Sequence, residues 1–262
     1  MIRPKKSLGQ NFLNDRNILK KIVDVTNIEK KPTLEVGPGT GNLTSYILEK
    51  KPEKLFLVEK DERLISLLKE KFKDKIEIIN NDILEINEKK IDDEKLIVFG
   101  NLPYNISTEI LCKWILNLDD INFWFESLIL MFQKEVADRI ISKFNSPKYG
   151  RLSILTNWKL DVTKICDIKS NCFNPKPKVD SSLLFFKPKK DFYTFNNSKN
   201  LELVTKVFFN QRRKMLKKPF NQLFSGNLKI AEKLKIDLNL RPQNLDKEIY
   251  YELTKEYENL KK

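Results

Sequence analysis

The chain has 262 residues, of which 40% are hydrophobic and 32% charged, a composition typical of a globular protein with one large domain or two modest ones. It carries 49 Lys and Arg against 36 Asp and Glu, a formal net charge of +13, and no histidine. The absence of histidine excludes a Ser-His-Asp triad, a His-ligated metal and an imidazole base, whereas the positive charge favours a polyanionic partner such as nucleic acid.

The compartment is suggested by what the sequence lacks. No apolar run approaches the roughly 20 residues that cross a bilayer, and the basic N-terminal stretch has no apolar core like that of a secretion signal. Cys112, Cys166 and Cys172 show no paired spacing, which favours free thiols over disulfides or a zinc site. We therefore expect a cytoplasmic protein with no bound metal and no membrane segment.

The first half of the chain alternates β-rich runs with helical patterns. The predicted strands cover Thr33–Val36, Lys54–Glu59, Ile76–Ile79, Lys95–Phe99, Ser127–Phe132 and Leu183–Phe186. Strands separated by helices indicate βαβ units and a parallel sheet. The sequence therefore predicts a doubly wound α/β domain over residues 1–190, and helical patterns beyond a polar linker predict a small, basic, all-helical domain over residues 199–262.

A glycine-rich turn follows the first predicted strand. Gly37, Gly39 and Gly41 are spaced G-x-G-x-G, and glycine lets the backbone turn sharply and approach a ligand closely. Glu59 ends the second strand, where a carboxylate accepts from ribose hydroxyls, and Asp82 follows the third, placed to accept from an adenine amine. Either acid alone is equally compatible with an ordinary turn residue. A nicotinamide dinucleotide fits less well, because the G-x-G-x-x-G spacing of its pyrophosphate site is missing.

The fourth strand runs into Asn101-Leu102-Pro103-Tyr104. An adenine amine is a poor nucleophile because its lone pair is delocalised into the ring. The amide oxygen of Asn101 and the backbone C=O of Leu102 are suitable acceptors for its two N–H bonds, and Pro103 restricts the residue before it. Tyr104 offers a face on which an extruded base stacks. This motif predicts an enzyme that modifies the exocyclic amine of adenine.

Several motifs in order give the chain a resemblance to the ribosomal RNA adenine dimethyltransferases. They are NLPYNIS (Asn101–Ser107), EVGPGTG (Glu35–Gly41), LGQNFL (Leu8–Leu13), FQKEVADR (Phe132–Arg139), YGRLSIL (Tyr149–Leu155), FNPKPKVDSS (Phe173–Ser182) and FNQRRK (Phe209–Lys214). Within that family the chain looks most like the bacterial type that modifies small-subunit (16S) ribosomal RNA. The resemblance implies a Rossmann-like class I methyltransferase fold, S-adenosyl-L-methionine as cofactor, and dimethylation of two adjacent adenosines in a 3'-terminal hairpin loop.

The resemblance also assigns residues. The cofactor contacts that it implies are Asn11, Leu13, Gly37, Glu59, Asp82 and Asn101, with Gly39 in the same turn. Phe173 matches the aromatic residue that sandwiches the target base against Tyr104, although Phe173 considered by itself fits a core aromatic better than a functional one. Unpaired loop bases cost less to flip out than paired ones, which suits such a substrate.

Basic residues cluster after the predicted helix that begins near Leu201. They are Arg212, Arg213, Lys214, Lys217 and Lys218. They indicate either a solvated charged face or contacts to the RNA backbone that position the loop. A proline at position 219 would interrupt a continuous helix here.

Three other functions compete with the small-subunit enzyme. One is the antibiotic-resistance type of the same family, which dimethylates large-subunit ribosomal RNA. Another is a ribosome-assembly or transcription-factor-like binding protein, against which the intact Glu59, Asp82, Asn101 and Tyr104 argue. A DNA adenine methyltransferase would need a target-recognition domain larger than the C-terminal region. We expect 16S ribosomal RNA, within the small subunit or its precursor, as the partner.

Overall fold

A computed structural model describes residues 4–5, 9–118 and 122–261. Leu8, the first residue of the LGQNFL motif, lies outside the described residues. The strands are β1 (Phe12–Leu13), β2 (Thr33–Val36), β3 (Leu55–Glu59), β4 (Glu77–Asn80), β5 (Leu96–Gly100), β6 (Phe125–Gln133), β7 (Leu160–Ile168), β8 (Phe173–Asn174) and β9 (Ser181–Pro188). The helices are α1 (Arg16–Val23), α2 (Asn42–Glu49), α3 (Glu62–Phe72), α4 (Ser107–Leu116), α5 (Lys134–Ile140), α6 (Arg151–Lys159), α7 (Ser198–Phe209), α8 (Lys217–Phe224), α9 (Leu228–Lys233) and α10 (Lys247–Asn259).

The central sheet has the order β4-β3-β2-β5-β6-β9-β7. The ladder from β4 to β6 is parallel. The chain moves outward in one direction from β2 through β3 to β4 and in the other from β5 to β6, so right-handed crossovers place their helices on opposite faces. The predicted doubly wound α/β sheet is therefore confirmed, and its strand order reverses between β2 and β5.

The inner strands could be predicted from the sequence because they are buried on both faces of the sheet. Every residue of β2, β3 and β5 is buried, and strands covered on both faces read as nearly continuous apolar runs. At the other side of the sheet, β9 pairs antiparallel with β6, with Leu130 opposite Leu184. The sheet is thus mixed, not wholly parallel, and β7, which the sequence analysis did not identify, occupies an edge of it.

A two-stranded ladder lies apart from the main sheet. The strands β1 and β8 pair antiparallel, with Phe12 opposite Asn174 and Leu13 opposite Phe173. Since residues opposite each other in such a pair share a face, Leu13 and Phe173 point together into the apolar core, where each is 4% exposed. This ladder ties the N-terminal segment to the FNPKPKVDSS motif.

The chain divides into two compact units. The first comprises residues 1–113, 118–137 and 162–188, and the second comprises residues 114–117, 138–161 and 189–262. In the second unit α7 packs on α6, α8 and α10, with the rings of Phe208 and Tyr250 edge to face at 5.6 Å. The second unit therefore includes α6 and the loop before it, in addition to residues 199–262.

Pro219 does not break a helix in the second unit. The helix α7 ends at Phe209 and α8 starts anew at Lys217. Pro219 thus lies in the first turn of α8, where a missing backbone N–H costs little because first-turn N–H groups have no partner within the helix. None of the helices in the described part of the chain is both long and apolar enough to cross a bilayer.

Candidate active site

The predicted site residues come together at one edge of the sheet. The parallel strands β2, β3, β4 and β5 all end there, on both sides of the reversal in strand order, which is where doubly wound folds bind ligands. A cleft of about 730 Å³, which continues into open solvent, lies at this edge. Its lining residues are Gly9, Gln10, Asn11, Phe12, Val36, Gly37, Gly39, Val58, Glu59, Lys60, Leu64, Asn81, Asp82, Ile83, Asn101, Leu102, Pro103, Tyr104 and Ile106.

The glycine-rich turn forms one wall of the cleft. Gly37 and Gly39 have φ of 71° and 58°, a region that residues with a Cβ adopt only with strain. A Cβ on Gly39 would lie 2.7 Å from Cδ1 of Phe12, too close for any real contact. Gly39 therefore serves two purposes, since it permits the turn and makes room for the Phe12 ring.

Glu59 presents a fixed carboxylate to the cleft. It is 9% exposed, and its Oε1 accepts from the backbone N–H groups of Lys60 at 3.0 Å and Asp61 at 2.9 Å. Burial raises the pKa of Glu59, while hydrogen bonds from backbone amides, including that of Gly39, oppose the rise. The backbone thus holds this carboxylate in one orientation, as recognition of a ribose would require.

Asp82 is an ionised acceptor on the adjacent strand end. Its Oδ1 accepts from the backbone N–H of Leu84 at 3.0 Å, and its Oδ2 accepts from Nζ of Lys60 at 2.8 Å. The bond from Lys60 is the main reason that the pKa of Asp82 lies below its ordinary value. Lys60, to which the sequence analysis assigned no role, lines the same cleft and keeps Asp82 charged.

The N-terminal segment closes another side of the cleft. Gln10, Asn11 and Phe12 line it, whereas Leu13 lies in the core and lines a smaller cavity of about 290 Å³ behind the glycine turn. Gln10 Nε2 donates to Oδ2 of Asp61 at 3.0 Å, which anchors the segment to the end of β3. The roles of Gln10 and Phe12 were not recognised in the sequence, because only long-range contacts define them.

Asn101 joins the N-terminal segment to the NLPY motif. Its Nδ2 donates to the backbone O of Asn11 at 2.9 Å, so its amide orientation is set and Oδ1 is the atom left to accept a further bond. The backbone C=O of Leu102 has no donor among the residues that the structure describes. Pro103 O accepts from Ile106 N at 3.1 Å, which folds the motif into a turn before α4.

Tyr104 lies half-buried in the cleft with its hydroxyl 2.5 Å from Oγ of Ser181. Burial raises the pKa of Tyr104, which keeps the phenol neutral at physiological pH. Phe173, predicted to face Tyr104 across the base, is buried in the core with Leu13 and is not among the residues that line the cleft. Its stacking role stays a prediction.

Glu35 is a buried acid that the sequence analysis quoted without a role. It is 2% exposed, its Oε2 accepts from the Thr44 hydroxyl at 2.6 Å, and it lines the smaller cavity together with Leu13 and Asn101. Burial raises its pKa from 4.5 to about 8, so that at neutral pH the side chain is mostly protonated. A lone Glu before a glycine turn gives no hint of such burial.

The basic cluster of the second unit separates into two kinds of side chain. Arg212 is half-buried and donates to the backbone carbonyls of Pro147 and Ser146. The remaining four are exposed, and their side chains make no hydrogen bond or ion pair with the described residues: Arg213, Lys214, Lys217 and Lys218. Their role in RNA binding stays a prediction.

Within the described ranges, no group of three or more Cys, Asp and Glu side chains is arranged to hold a metal.

Comparisons with known protein sequences place this chain in a family of ribosomal RNA methyltransferases. The sequence matches the family described as "Ribosomal RNA adenine dimethylase" over residues 1–259. It is 64% identical, over 99% of both chains, to ribosomal RNA small subunit methyltransferase A of Pelagibacter ubique. It is 44% identical, over 94% of both chains, to the protein of that name from Ehrlichia ruminantium.

Two solved structures resemble the fold over nearly the whole chain. A dimethyladenosine transferase from Plasmodium falciparum superposes with a TM-score of 0.81 at 28% identity, covering 95% of this chain and 98% of that one. The 23S rRNA methyltransferase ErmE superposes with a TM-score of 0.69 at 21% identity, covering 95% of this chain and 100% of that one. At that identity the second comparison speaks only to the fold.

Proposed function

Because this chain belongs to the ribosomal RNA adenine dimethylase family, we propose that it dimethylates N6 of two adjacent adenosines in the 3'-terminal hairpin loop of 16S ribosomal RNA. The chain is a ribosomal RNA adenine dimethyltransferase. The finer proposal names S-adenosyl-L-methionine as the methyl donor, the small subunit or its precursor as the substrate, and the cytoplasm as the compartment. The 64% identity to a small-subunit methyltransferase supports this choice of subunit.

One observation supports the proposal above the others. The turn Asn101–Tyr104 opens into the same cleft as Glu59 and Asp82, although these residues come from three different strand ends. Acceptors for an adenine amine therefore lie beside acceptors for a nucleoside cofactor, as methyl transfer between the two requires.

The residues present fit S-adenosyl-L-methionine. Glu59, held by backbone amides, would accept from the ribose hydroxyls, and ionised Asp82 would accept from the adenine amine of the cofactor. Gly37 lines the cleft in a left-handed conformation that favours glycine, and Gly39 makes room for the Phe12 ring. When bound, the cofactor supplies a methyl group on a positively charged sulfur.

The chain's own residues would activate the target amine. Asn101 Oδ1 and the Leu102 carbonyl would accept its two N–H bonds, drawing the nitrogen towards tetrahedral geometry and stabilising the positive charge that develops on it. Tyr104, held by Ser181, would stack on the base. Amide oxygens do not take up protons at neutral pH, so the proton that the amine loses would go to water.

The test is transfer of labelled methyl groups from S-adenosyl-L-methionine to unmethylated small subunits, large subunits and protein-free RNA, followed by identification of the modified nucleoside. We expect dimethyladenosine in small-subunit particles. Label in the large subunit would instead assign the chain to the resistance type, and no label in any substrate would favour a binding protein.

Substitution of Glu59 tests the cofactor site separately. We expect Glu59→Ala to weaken S-adenosyl-L-methionine binding about 10- to 100-fold, because it removes a charge-assisted hydrogen bond, and to leave RNA affinity nearly unchanged. Calorimetric titration with each ligand measures both effects. Unaltered cofactor affinity in the variant would refute the proposed ribose contact.

The second unit is proposed to position the RNA. The proposed contacts to RNA phosphates come from four exposed cations: Arg213, Lys214, Lys217 and Lys218. Arg212 would assist by holding the loop before α6 through the carbonyls of Ser146 and Pro147. The division into a methyltransferase domain (1–190) and a helical domain (199–262) is retained as part of this proposal.

A further inference from the structure

The loop of residues 174–180 starts and ends at the cleft. At its start, Asn174 pairs with Phe12, which lines the cleft. At its end, Ser181 bonds the hydroxyl of Tyr104 at 2.5 Å. Chain geometry allows at most about 3.6 Å per residue, so every residue between these two anchors lies within about 11 Å of one of them.

The C-terminal end of the loop is firmly held through Asp180. Asp180 Oδ1 accepts from the backbone N–H of Ser170 at 3.0 Å, and its Oδ2 lies 3.1 Å from Nζ of Lys169. The backbone O of Asp180 also accepts from Lys134 N at 2.9 Å. Pro175 and Pro177 stiffen the part between, because each fixes its own φ and restricts the residue before it.

Two lysines on this stiff loop have no partner. Lys176 and Lys178 are exposed, and neither ammonium has a hydrogen-bond or ion-pair partner among the residues that the structure describes. Other lysines of the same region are paired with carboxylates: Lys60 with Asp82, Lys134 and Lys164 with Asp167, and Lys169 with Asp180. Unlike these neighbours, Lys176 and Lys178 leave two ammonium groups beside the cleft without a protein partner among the described residues.

We propose that the 174–180 loop is a phosphate clamp, in which Lys176 and Lys178 bind the RNA backbone phosphates that flank the target adenines. The inference rests on the proposed function, since it assumes an RNA strand at the cleft. Phosphate contacts fix the register of a nucleic acid on a protein, and a pre-ordered loop loses little entropy on binding. The clamp would present the adenines to Asn101 and would not act in the transfer itself.

The test compares Lys176→Gln/Lys178→Gln with the control pair Lys69→Gln/Lys75→Gln. All four lysines are exposed residues of the first unit, and the control pair does not line the cleft. Each pair removes two positive charges, lowering the formal net charge of +13 by the same amount. The measurements are the kinetics of methylation of unmethylated small subunits and their affinity over a range of salt concentrations.

We expect the clamp variant to raise KM for the small subunit about five- to thirtyfold, as two exposed ionic contacts would. The slope of log Kd against log salt should fall by about 1.4, the value for two single-strand phosphate contacts. The affinity for S-adenosyl-L-methionine and kcat should not change. Lys176→Arg/Lys178→Arg should restore KM, which separates lost charge from a misfolded loop.

Two results would overturn the clamp: an unchanged KM and salt slope in the Gln variant, or an equal change in the control pair. Disproof of the proposed function would look different from disproof of the clamp. In that case the wild-type protein itself would form no dimethyladenosine on small subunits.

Discussion

The hydrogen bond between Tyr104 and Ser181 fixes the orientation of the Tyr104 ring. Ser181 is fully buried at the start of β9, and its Oγ lies 2.5 Å from the Tyr104 hydroxyl. The ring therefore has little freedom to rotate. In the proposed mechanism, in which the target base stacks on Tyr104, Ser181 would be a positioning residue that acts on the target through Tyr104.

We expect Ser181→Ala and Tyr104→Phe each to lower kcat/KM about fivefold, the effect of losing one hydrogen bond. The double variant should lose no more than either single variant, because both changes remove the same contact. Steady-state kinetics on small subunits, with melting temperatures as a control for folding, measure this cycle. Additive losses would show that the contact does not couple the two residues.

Glu35 makes the stability of the fold depend on pH. Burial raises its pKa in the folded state from 4.5 to about 8, so the folded protein holds this proton more tightly than the unfolded chain does. The stabilisation is complete below pH 4.5 and is lost as the pH rises towards 8, at up to about 1.4 kcal/mol per pH unit.

Glu35→Gln should therefore flatten the fall in melting temperature between pH 5 and pH 8. Gln keeps the shape and the capacity to bond Thr44 but cannot ionise. Thermal unfolding of the wild-type and variant proteins across this range is the measurement. Curves that stay parallel would mean that Glu35 titrates normally in the folded protein.

At the level of single residues, the sequence was most informative where a motif is local. Asn101, Leu102, Pro103 and Tyr104 are adjacent in the chain, and the structure places all four on the cleft. Phe12 could not be assigned in the same way, since its role depends on Gly39, 27 residues further along. Contacts between segments that are distant in the chain leave no periodic pattern in the sequence from which they could be predicted.

At the level of elements, the N-terminal strand packs closely against the glycine turn. The Phe12 ring occupies the space that a Cβ on Gly39 would need, at 2.7 Å. Gly226 offers a comparison, because its φ of 75° is also left-handed while the nearest atom to its Cβ position, Asn221 Oδ1, is 3.9 Å away.

We expect Gly226→Ala to lose about 1–2 kcal/mol of stability, the cost of the left-handed conformation alone. Gly39→Ala should lose that amount and also displace Phe12, with weaker cofactor binding as a result. Denaturant unfolding and titration with S-adenosyl-L-methionine test both variants. Equal stability losses with unchanged cofactor affinity for Gly39→Ala would contradict the contact with Phe12.

The elements that the sequence predicted correctly are those with a continuous apolar run. The strands β2, β3 and β5 are buried along their whole length, whereas in β7, at the edge of the sheet, only the two end residues Leu160 and Ile168 are buried. A pattern such as LDVTKICDI is less distinctive than LFLVE, so β7 was missed. The sequence predicted that Pro219 would interrupt a helix, which was wrong, because α7 already ends at Phe209 and the proline lies in the first turn of α8.

At the scale of the whole molecule, composition restricted the chemistry before any motif did. The absence of histidine left carboxylates, amides, aromatics or a cofactor to carry the chemistry, and the net charge of +13 favoured a polyanionic partner. The family match over residues 1–259 agrees with that inference. The order of the sheet then explains why Glu59, Asp82 and Asn101, which follow three different strands, meet at one cleft.

In the proposed mechanism, Asn101 Oδ1 accepts a hydrogen bond from the target adenine amine in ribosomal RNA. Its most direct test is the rate at which wild-type protein, Asn101→Ala and the exposed neighbour variant Asn105→Ala form dimethyladenosine on unmethylated small subunits at saturating S-adenosyl-L-methionine. We predict that Asn101→Ala abolishes measurable turnover, a loss of at least about 100- to 1,000-fold, while its cofactor affinity falls only modestly and Asn105→Ala remains active. Methylation by Asn101→Ala at a rate near that of the wild-type protein would contradict the account.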